Sequence, residues 1–331
     1  MAFRTLVVGL GRAGAGLHVP VVGTARRLSP LFDTAPVLGY DPVGGTAPAG
    51  AALVRSLAEA ADTADPARTV VHLCTPPTVR ADALAELAGL GYRMVLVEKP
   101  LATDDAEVAD VLRVRDEHGL DLVVVSQWLA SELTARLAAL VADERYGALR
   151  GLSLTQNKPR FARSAGGDGH PTAFDVEMPH GLGVALRLAG PAEVAGADGD
   201  DLRFADVCVP RMGRAWLSLR HDSGTTTELC SDLAAPIRER SITAAFEQAT
   251  VTGHYPVSET DEYAQLFTTV SGRTERVVFR DPSLTTFTVH AYEHFAGRRV
   301  LADVDLNAEV VRLLGVGKRL AAGPRAAVAH A

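Results

Sequence analysis

The chain has 331 residues and a formal net charge of −7, with 47% hydrophobic and 22% charged residues. That profile fits a folded globular protein large enough for two domains and excludes a disordered tail or a fibrous repeat; the acidic balance argues against a nucleic-acid footprint. No run of about 18 uncharged apolar residues is present, which argues against a membrane span.

The first third alternates short apolar runs with helical patterns. Strands are predicted at Thr5 to Val8, Val37 to Tyr40, Thr69 to Cys74, Arg93 to Val97 and Leu122 to Ser126. Helical segments fall between them, such as Arg80 to Leu90 and Asp104 to His118. In the latter, Asp104 and Glu107 have the spacing of a capping box, and Gly119 follows as a stop. Alternating strands and helices imply a doubly wound parallel sheet. A Gly/Pro/Ala-rich stretch from Pro42 to Gly50 reads as a loop.

After about residue 124 the pattern changes. A helix near Glu132 to Val141 leads into a strand at Leu149 to Gln156, then a Gly-rich, charged loop from Asn157 to His170. Alternating segments follow at Trp216 to Arg220, Thr225 to Leu229, Ser241 to Phe246 and Arg276 to Phe279, and two helical segments near Thr286 to Ala296 and Asn307 to Leu320 end the pattern. Period-two alternation predicts a mostly antiparallel sheet with one wet face. The expected division is therefore a doubly wound parallel domain over residues 1–123 and an α/β domain with a mostly antiparallel sheet over 124–331.

Three cysteines, Cys74, Cys208 and Cys230, are far apart with no CxxC pair, so neither a disulfide framework nor a zinc site is suggested. The start MAFRTLVVGLGRAG lacks the layout of a secretory leader, and a reducing, cytoplasmic setting is expected. No metal is expected. Among 33 basic residues only Lys99, Lys158 and Lys318 are lysines. Codon bias accounts for most of that skew, yet a lysine retained in such a background can be one that Arg cannot replace.

Gly9-Leu10-Gly11-Arg12-Ala13-Gly14 is a GxGxxG run between a strand and a helix. This is the dinucleotide fingerprint: its glycines permit a tight turn, close approach of backbone to pyrophosphate, and helix-to-strand packing. The helix N-terminus adds free N–H groups and partial positive charge. Asp41, at the end of the second strand, stands where an acidic residue holds the ribose hydroxyls. A carboxylate there repels a 2′-phosphate, so NAD is favoured, with NADP possible.

Cys74-Thr75-Pro76-Pro77 after the third strand, Glu98-Lys99-Pro100 after the fourth, and His180 farther on, taken with the fingerprint, resemble the Gfo/Idh/MocA family of glucose–fructose oxidoreductase and inositol dehydrogenase relatives. The resemblance implies a Rossmann domain followed by an open, mostly antiparallel α/β domain, and oxidation or reduction of a hydroxyl on a sugar, cyclitol or similar molecule. It implies that Lys99 sits beside nicotinamide and substrate, that Thr75, Pro76 and Pro77 pack against the cofactor with Glu98 and Gln127 nearby, and that His180 is the acid/base. It also implies a homo-oligomer, dimer or tetramer, through the second domain. The chemistry of the residues agrees. Ligands of doubly wound sheets bind beyond the C-terminal strand ends, where Lys99 falls. Lys can hydrogen-bond the reacting oxygen and lower its pKa, whereas Arg stays protonated, and His is the residue most often used to move the proton.

The sequence departs from the family at Val176, where an Asp usually stands four residues before the histidine; Asp175 and Glu177 flank it. Pro179 is expected to kink the helix and bring Asp175 or Glu177 into that role. Lys158 and Asp168, the latter in a loop with His170, are candidate substrate contacts. The carboxylates Asp168, Asp175 and Glu177 together suggest an aminated sugar or cyclitol. The alternatives are an imine or C=C reductase on the same fold, and a non-enzymatic NAD- and sugar-binding regulator. Lys318, in the C-terminal helical segment, has no role from sequence.

Overall fold

The computed structural model describes residues 2–167, 170–258, 261–301 and 303–323. The chain forms two compact units: the stretch up to Ala130 together with Ser283–Val311, and Ser131–Pro282 together with the chain from Arg312 onward. The sequence boundary at residue 123 assigned everything later to the second domain. Ser283–Val311 instead clusters with the first, because its apolar residues cover a sheet face that the first 130 residues leave bare.

The first unit is built on a six-stranded parallel sheet of β1 (Arg4–Val8), β2 (Val37–Tyr40), β3 (Ala51–Leu53), β4 (Thr69–Leu73), β5 (Met94–Val97) and β6 (Asp121–Val124), in the order β3-β2-β1-β4-β5-β6. Its helices are α1 (Val19–Ala25), α2 (Leu57–Thr63), α3 (Arg80–Gly89) and α4 (Asp105–His118). Because successive strand side chains point to opposite faces, Val8, Val71, Leu73, Val95 and Val97 pack toward Leu84, Leu87 and Val111 of α3 and α4. Val7 and Val70 pack toward Val19 and Val22 of α1 on the other face. Strands buried on both faces explain the near-continuous apolar runs. Asp104 caps α4 by accepting from the Glu107 N–H at 2.9 Å, but Glu107 reaches back to the N–H and hydroxyl of Thr103, one residue short of the expected box.

The second unit carries α5 (Glu132–Ala142), β7 (Leu149–Asn157), α6 (Phe161–Ala165), α7 (Met178–Ala189), β8 (Ala192–Gly199), a small hairpin of β9 (Leu202–Phe204) and β10 (Val207–Val209), then β11 (Arg214–His221), β12 (Thr226–Asp232), β13 (Glu239–Phe246), β14 (Thr250–His254), β15 (Tyr263–Val270) and β16 (Arg273–Arg280). Its eight-stranded sheet has the order β16-β15-β14-β13-β7-β12-β11-β8. Every neighbouring pair is antiparallel except β7 with β12. Leu217, Leu219, Leu229, Ile242 and Ala244 are buried in alternation with more exposed neighbours, as period-two patterning requires. The Ser131 hydroxyl at the start of α5 donates to Asp281 at 2.6 Å and the Glu132 N–H donates to the same carboxylate at 3.0 Å, and burial raises the Asp281 pKa.

The chain then forms α8 (Ser283–Phe295) and α9 (Asp303–Ala322). α8 returns to the first sheet, where Phe287 and Ala291 pack on Leu96 and Val123 and Tyr292 stacks on Phe32 with ring centroids 3.9 Å apart. No helix among the described residues is long and apolar enough to cross a membrane.

Candidate active site

Along the C-terminal rim of the parallel sheet, backbone bonds continue past the strands. The Gly9 N–H donates to the Tyr40 carbonyl, Cys74 to Val8, Glu98 to Leu73 and Val125 to Val97, all within 2.7–3.0 Å. The fingerprint turn, the Cys74–Pro77 stretch and the Glu98–Pro100 stretch thus emerge side by side. Gly9 has φ +88°, and a Cβ on it would lie 3.0 Å from the Cys74 carbonyl carbon and the Thr75 nitrogen. A Cβ on Gly14 would lie 1.9 Å from the Gly9 oxygen. Gly11 is exposed, and a Cβ there would meet nothing within 4 Å. Two glycines therefore permit internal close packing and the third leaves an open approach to the turn, the division of labour a pyrophosphate needs.

Asp41 accepts from the Leu10 N–H at 2.6 Å with one carboxylate oxygen and from the Val43 N–H at 2.9 Å with the other. It is tied to the fingerprint turn and keeps lone pairs for a ribose hydroxyl. Arg12 is exposed and Ala13 half-buried. The helix that follows begins with a π-helical turn, Gly14–His18, before α1. Such turns recur at functional sites, and this one ends on a buried side chain, His18.

The two motif stretches are tied together by Arg80, a residue that sequence reasoning passed over. Its buried guanidinium donates to the carbonyls of Leu101 at 2.8 Å and Thr75 at 3.2 Å, and also to that of Pro100. Burial lowers its pKa to about 10 against the opposing pull of Glu98. Lys99 is half-buried, and its backbone N–H donates to Glu98 Oε2 at 3.1 Å. Besides Arg80 Nε, two buried oxygens on this rim lack a hydrogen-bond partner, Thr75 Oγ1 and Gln127 Oε1. Orphaned buried oxygens call for an explanation. A polar ligand beside Thr75–Pro77 and Gln127 supplies one, so the residues present fit a dinucleotide.

Beneath the rim runs a buried polar chain. His18 Nε2 donates to Glu98 Oε1 at 2.8 Å, and His18 Nδ1 lies 2.8 Å from His72 Nδ1. His72 Nε2 is 3.1 Å from the Tyr292 hydroxyl, which is 2.6 Å from Thr5 Oγ1. Burial works against a charge on His18, but Cys74 and then Glu98 outweigh it and raise its pKa to about 10. Burial first, then the charge of His18, push His72 well below the ordinary histidine range. The pair therefore carries one positive charge, on His18, beside a neutral His72. Nothing in the sequence pointed to this chain beyond the position of His18 four residues after Gly14.

In the second unit, His180 is half-buried in the first turn of α7. Pro179 does not kink the helix as expected. It occupies the first turn, where a missing N–H costs nothing and the fixed φ suits the helix. Asp175 therefore belongs to a short 3-10 turn before α7. It accepts from the Thr172 N–H and hydroxyl with one oxygen and from Lys318 Nζ, at 2.9 Å, with the other. Glu177 is buried and accepts from Lys158 Nζ at 2.5 Å, with Arg240 Nη2 3.5 Å from its other oxygen. Asp175 and Glu177, two of the three carboxylates that suggested an aminated substrate, thus each have a cation beside them within the protein. Lys158 and Lys318, one a candidate substrate contact and the other without a role from sequence, are those cations. Asp168 lies outside the described residues.

No family model and no curated protein matches this chain. Solved structures do. KijD10, a 3-ketoreductase from Actinomadura kijaniata in complex with NADP and TDP-benzene, superposes with a TM-score of 0.78 at 15% identity, covering 97% of this chain and 98% of that one. Aldose–aldose oxidoreductase from Caulobacter crescentus, complexed with glycerol, superposes with a TM-score of 0.75 at 16% identity and the same coverage. At these identities the likeness is one of fold.

Proposed function

We propose that the chain is an NAD(P)-dependent oxidoreductase of the Gfo/Idh/MocA type that interconverts a hydroxyl and a keto group on a sugar or cyclitol. The observation that carries this reading is the arrangement of one rim. The fingerprint glycines, Thr75–Pro77 and Glu98–Lys99 leave adjacent parallel strands side by side, with two orphaned buried oxygens among them. Two sugar-related oxidoreductases of like fold support it, one of them holding NADP.

In this reading Gly9, Gly11 and Gly14 hold the pyrophosphate with Arg12 and Ala13, Asp41 holds the adenosine ribose, and Thr75, Pro76, Pro77, Glu98 and Gln127 line the nicotinamide end. Such a dinucleotide supplies hydride exchange at C4 of its nicotinamide ring. Lys99 binds the reacting oxygen and stabilises negative charge as it develops there, the kind of preorganised electrostatic help that dominates many active sites. His180 takes or returns the hydroxyl proton, a role worth roughly 10²–10⁴-fold in rate. The carboxylates Asp175 and Glu177 position rather than react: one braces the turn before α7 through Thr172 and Lys318, and the other holds Lys158 and Arg240.

The test is reduction of NAD and NADP, followed by absorbance, with a panel of aldoses, nucleotide sugars and cyclitols. Turnover with one substrate class supports the reading. Dinucleotide binding without turnover on any member, in either direction, points instead to a regulator.

A further inference from the structure

We propose that His18 is a positioning residue for Lys99, acting through Glu98. The inference rests on the function proposed above but is read from the first unit alone. The Glu98 carboxylate has two ends. Oε2 accepts the Lys99 backbone N–H at 3.1 Å, and Oε1 accepts His18 Nε2 at 2.8 Å. Glu98 is on the rim, with 14% of its side chain exposed, while His18 is at 2%. A mostly buried carboxylate next to the reacting lysine is thus clamped from below by a buried imidazole.

The clamp is itself anchored. An ionised carboxylate only accepts, so His18 Nε2 carries a hydrogen. With His18 protonated, its Nδ1–H donates to His72, His72 Nε2–H donates to Tyr292, and Tyr292 donates to Thr5, one consistent direction throughout. The chain ends at Thr5, which is 3% exposed. It therefore leads to no solvent and cannot carry protons to or from the rim; it fixes a ring orientation. The groups facing His18 from the packed elements are Cys74, His72 and Glu98. The π-helical turn is the second observation. One extra residue in the turn from Gly14 to His18 ends on the side chain aimed at Glu98, at a place where a regular helix would be cheaper.

The experiment compares His18→Leu and His18→Gln by hydrogen exchange at the Lys99 amide in the dinucleotide-free protein. Leu fills space without a donor; Gln keeps an N–H that can reach Glu98. The positioning role predicts Lys99 amide exchange about tenfold faster in His18→Leu, the loss of roughly one hydrogen bond's protection. It predicts near-native exchange in His18→Gln, and unchanged Leu96 and Val97 amides in both. Where turnover is measurable, kcat falls in the Leu variant and recovers in the Gln variant, while NADH affinity stays within about twofold. A merely packing role predicts the reverse order, because a buried unpartnered amide costs more than Leu. If the Leu variant does not fold, His18→Asn, too short to reach Glu98, takes its place. Unchanged Lys99 exchange in a folded Leu or Asn variant overturns the inference whether or not the protein is an oxidoreductase, since no substrate is needed to read it.

Discussion

Arg80, at the first position of α3, donates to the Leu101 carbonyl at 2.8 Å. With its bond to Thr75 it fastens the loop that carries Lys99 to the Cys74–Pro77 stretch. Replacing it with Met leaves two buried carbonyls, those of Pro100 and Leu101, and the part-buried one of Thr75 short of a donor, at a cost of about 1–3 kcal/mol for each buried one before relaxation. Arg80→Met is therefore expected to lower the denaturant midpoint of the first unit by the equivalent of about 2–4 kcal/mol and to weaken NADH binding. Fluorescence titration of NADH checks the second effect; native affinity in the variant would show that the tie is not needed to shape the rim.

The charge on His18 beside a neutral His72 gives a pH signature. His18 is raised to about 10 from 6.5, so its contribution to stability is complete below about pH 6.5 and is lost as the pH rises toward 10. His72 is depressed, so its contribution is present above about pH 6.5 and is lost as the pH falls. Thermal melting should peak near neutrality and decline on the alkaline side up to pH about 10, with that alkaline decline reduced in His18→Leu. An alkaline limb identical in wild type and variant would contradict the assignment.

Asp41 ties down the fingerprint turn and also faces the expected ribose. Asp41→Ser should cost about 1 kcal/mol of stability through the lost bond from Leu10. It should also shift the ratio of NADP to NAD affinity about tenfold toward NADP, the equivalent of about 1.4 kcal/mol. Thermal shifts with each dinucleotide read both effects, because a ligand bound only by the folded state raises its stability.

The Asp175–Lys318 pair is largely buried, with side chains 5% and 18% exposed. Removing one member leaves an uncompensated charge, discounted here because Lys318 keeps some solvent. Lys318→Met should destabilise the second unit by about 1–3 kcal/mol, and adding Asp175→Asn should recover part of that loss. A double-mutant cycle in urea measures the coupling; an additive result would mean the pair contributes nothing.

Much of this was legible from sequence. The strand-to-helix alternation, the fingerprint glycines and the rim position of Lys99 follow from local patterns, since burial on both faces and the demand for tight turns leave marks on consecutive residues. The kink expected at Pro179 failed because a proline marks either a break or a first turn, and only the preceding chain decides which. The roles of Arg80, His18 and Lys318 were not legible. Arg80 bonds backbone carbonyls that any residue supplies, and His18 and Lys318 meet partners 80 and 143 positions away. The grouping of α8 with the first sheet was hidden for the same reason, since Tyr292 finds Thr5 across 287 positions.

The most direct test of the account is Lys99→Ala, assayed beside wild type with the best substrate of the panel and with NADH binding measured on the same sample. The account predicts dinucleotide affinity within about threefold of wild type and kcat reduced by at least about 10²-fold, the scale of losing a positioned polar group at the reacting oxygen. Near-native turnover in a folded Lys99→Ala protein would contradict it.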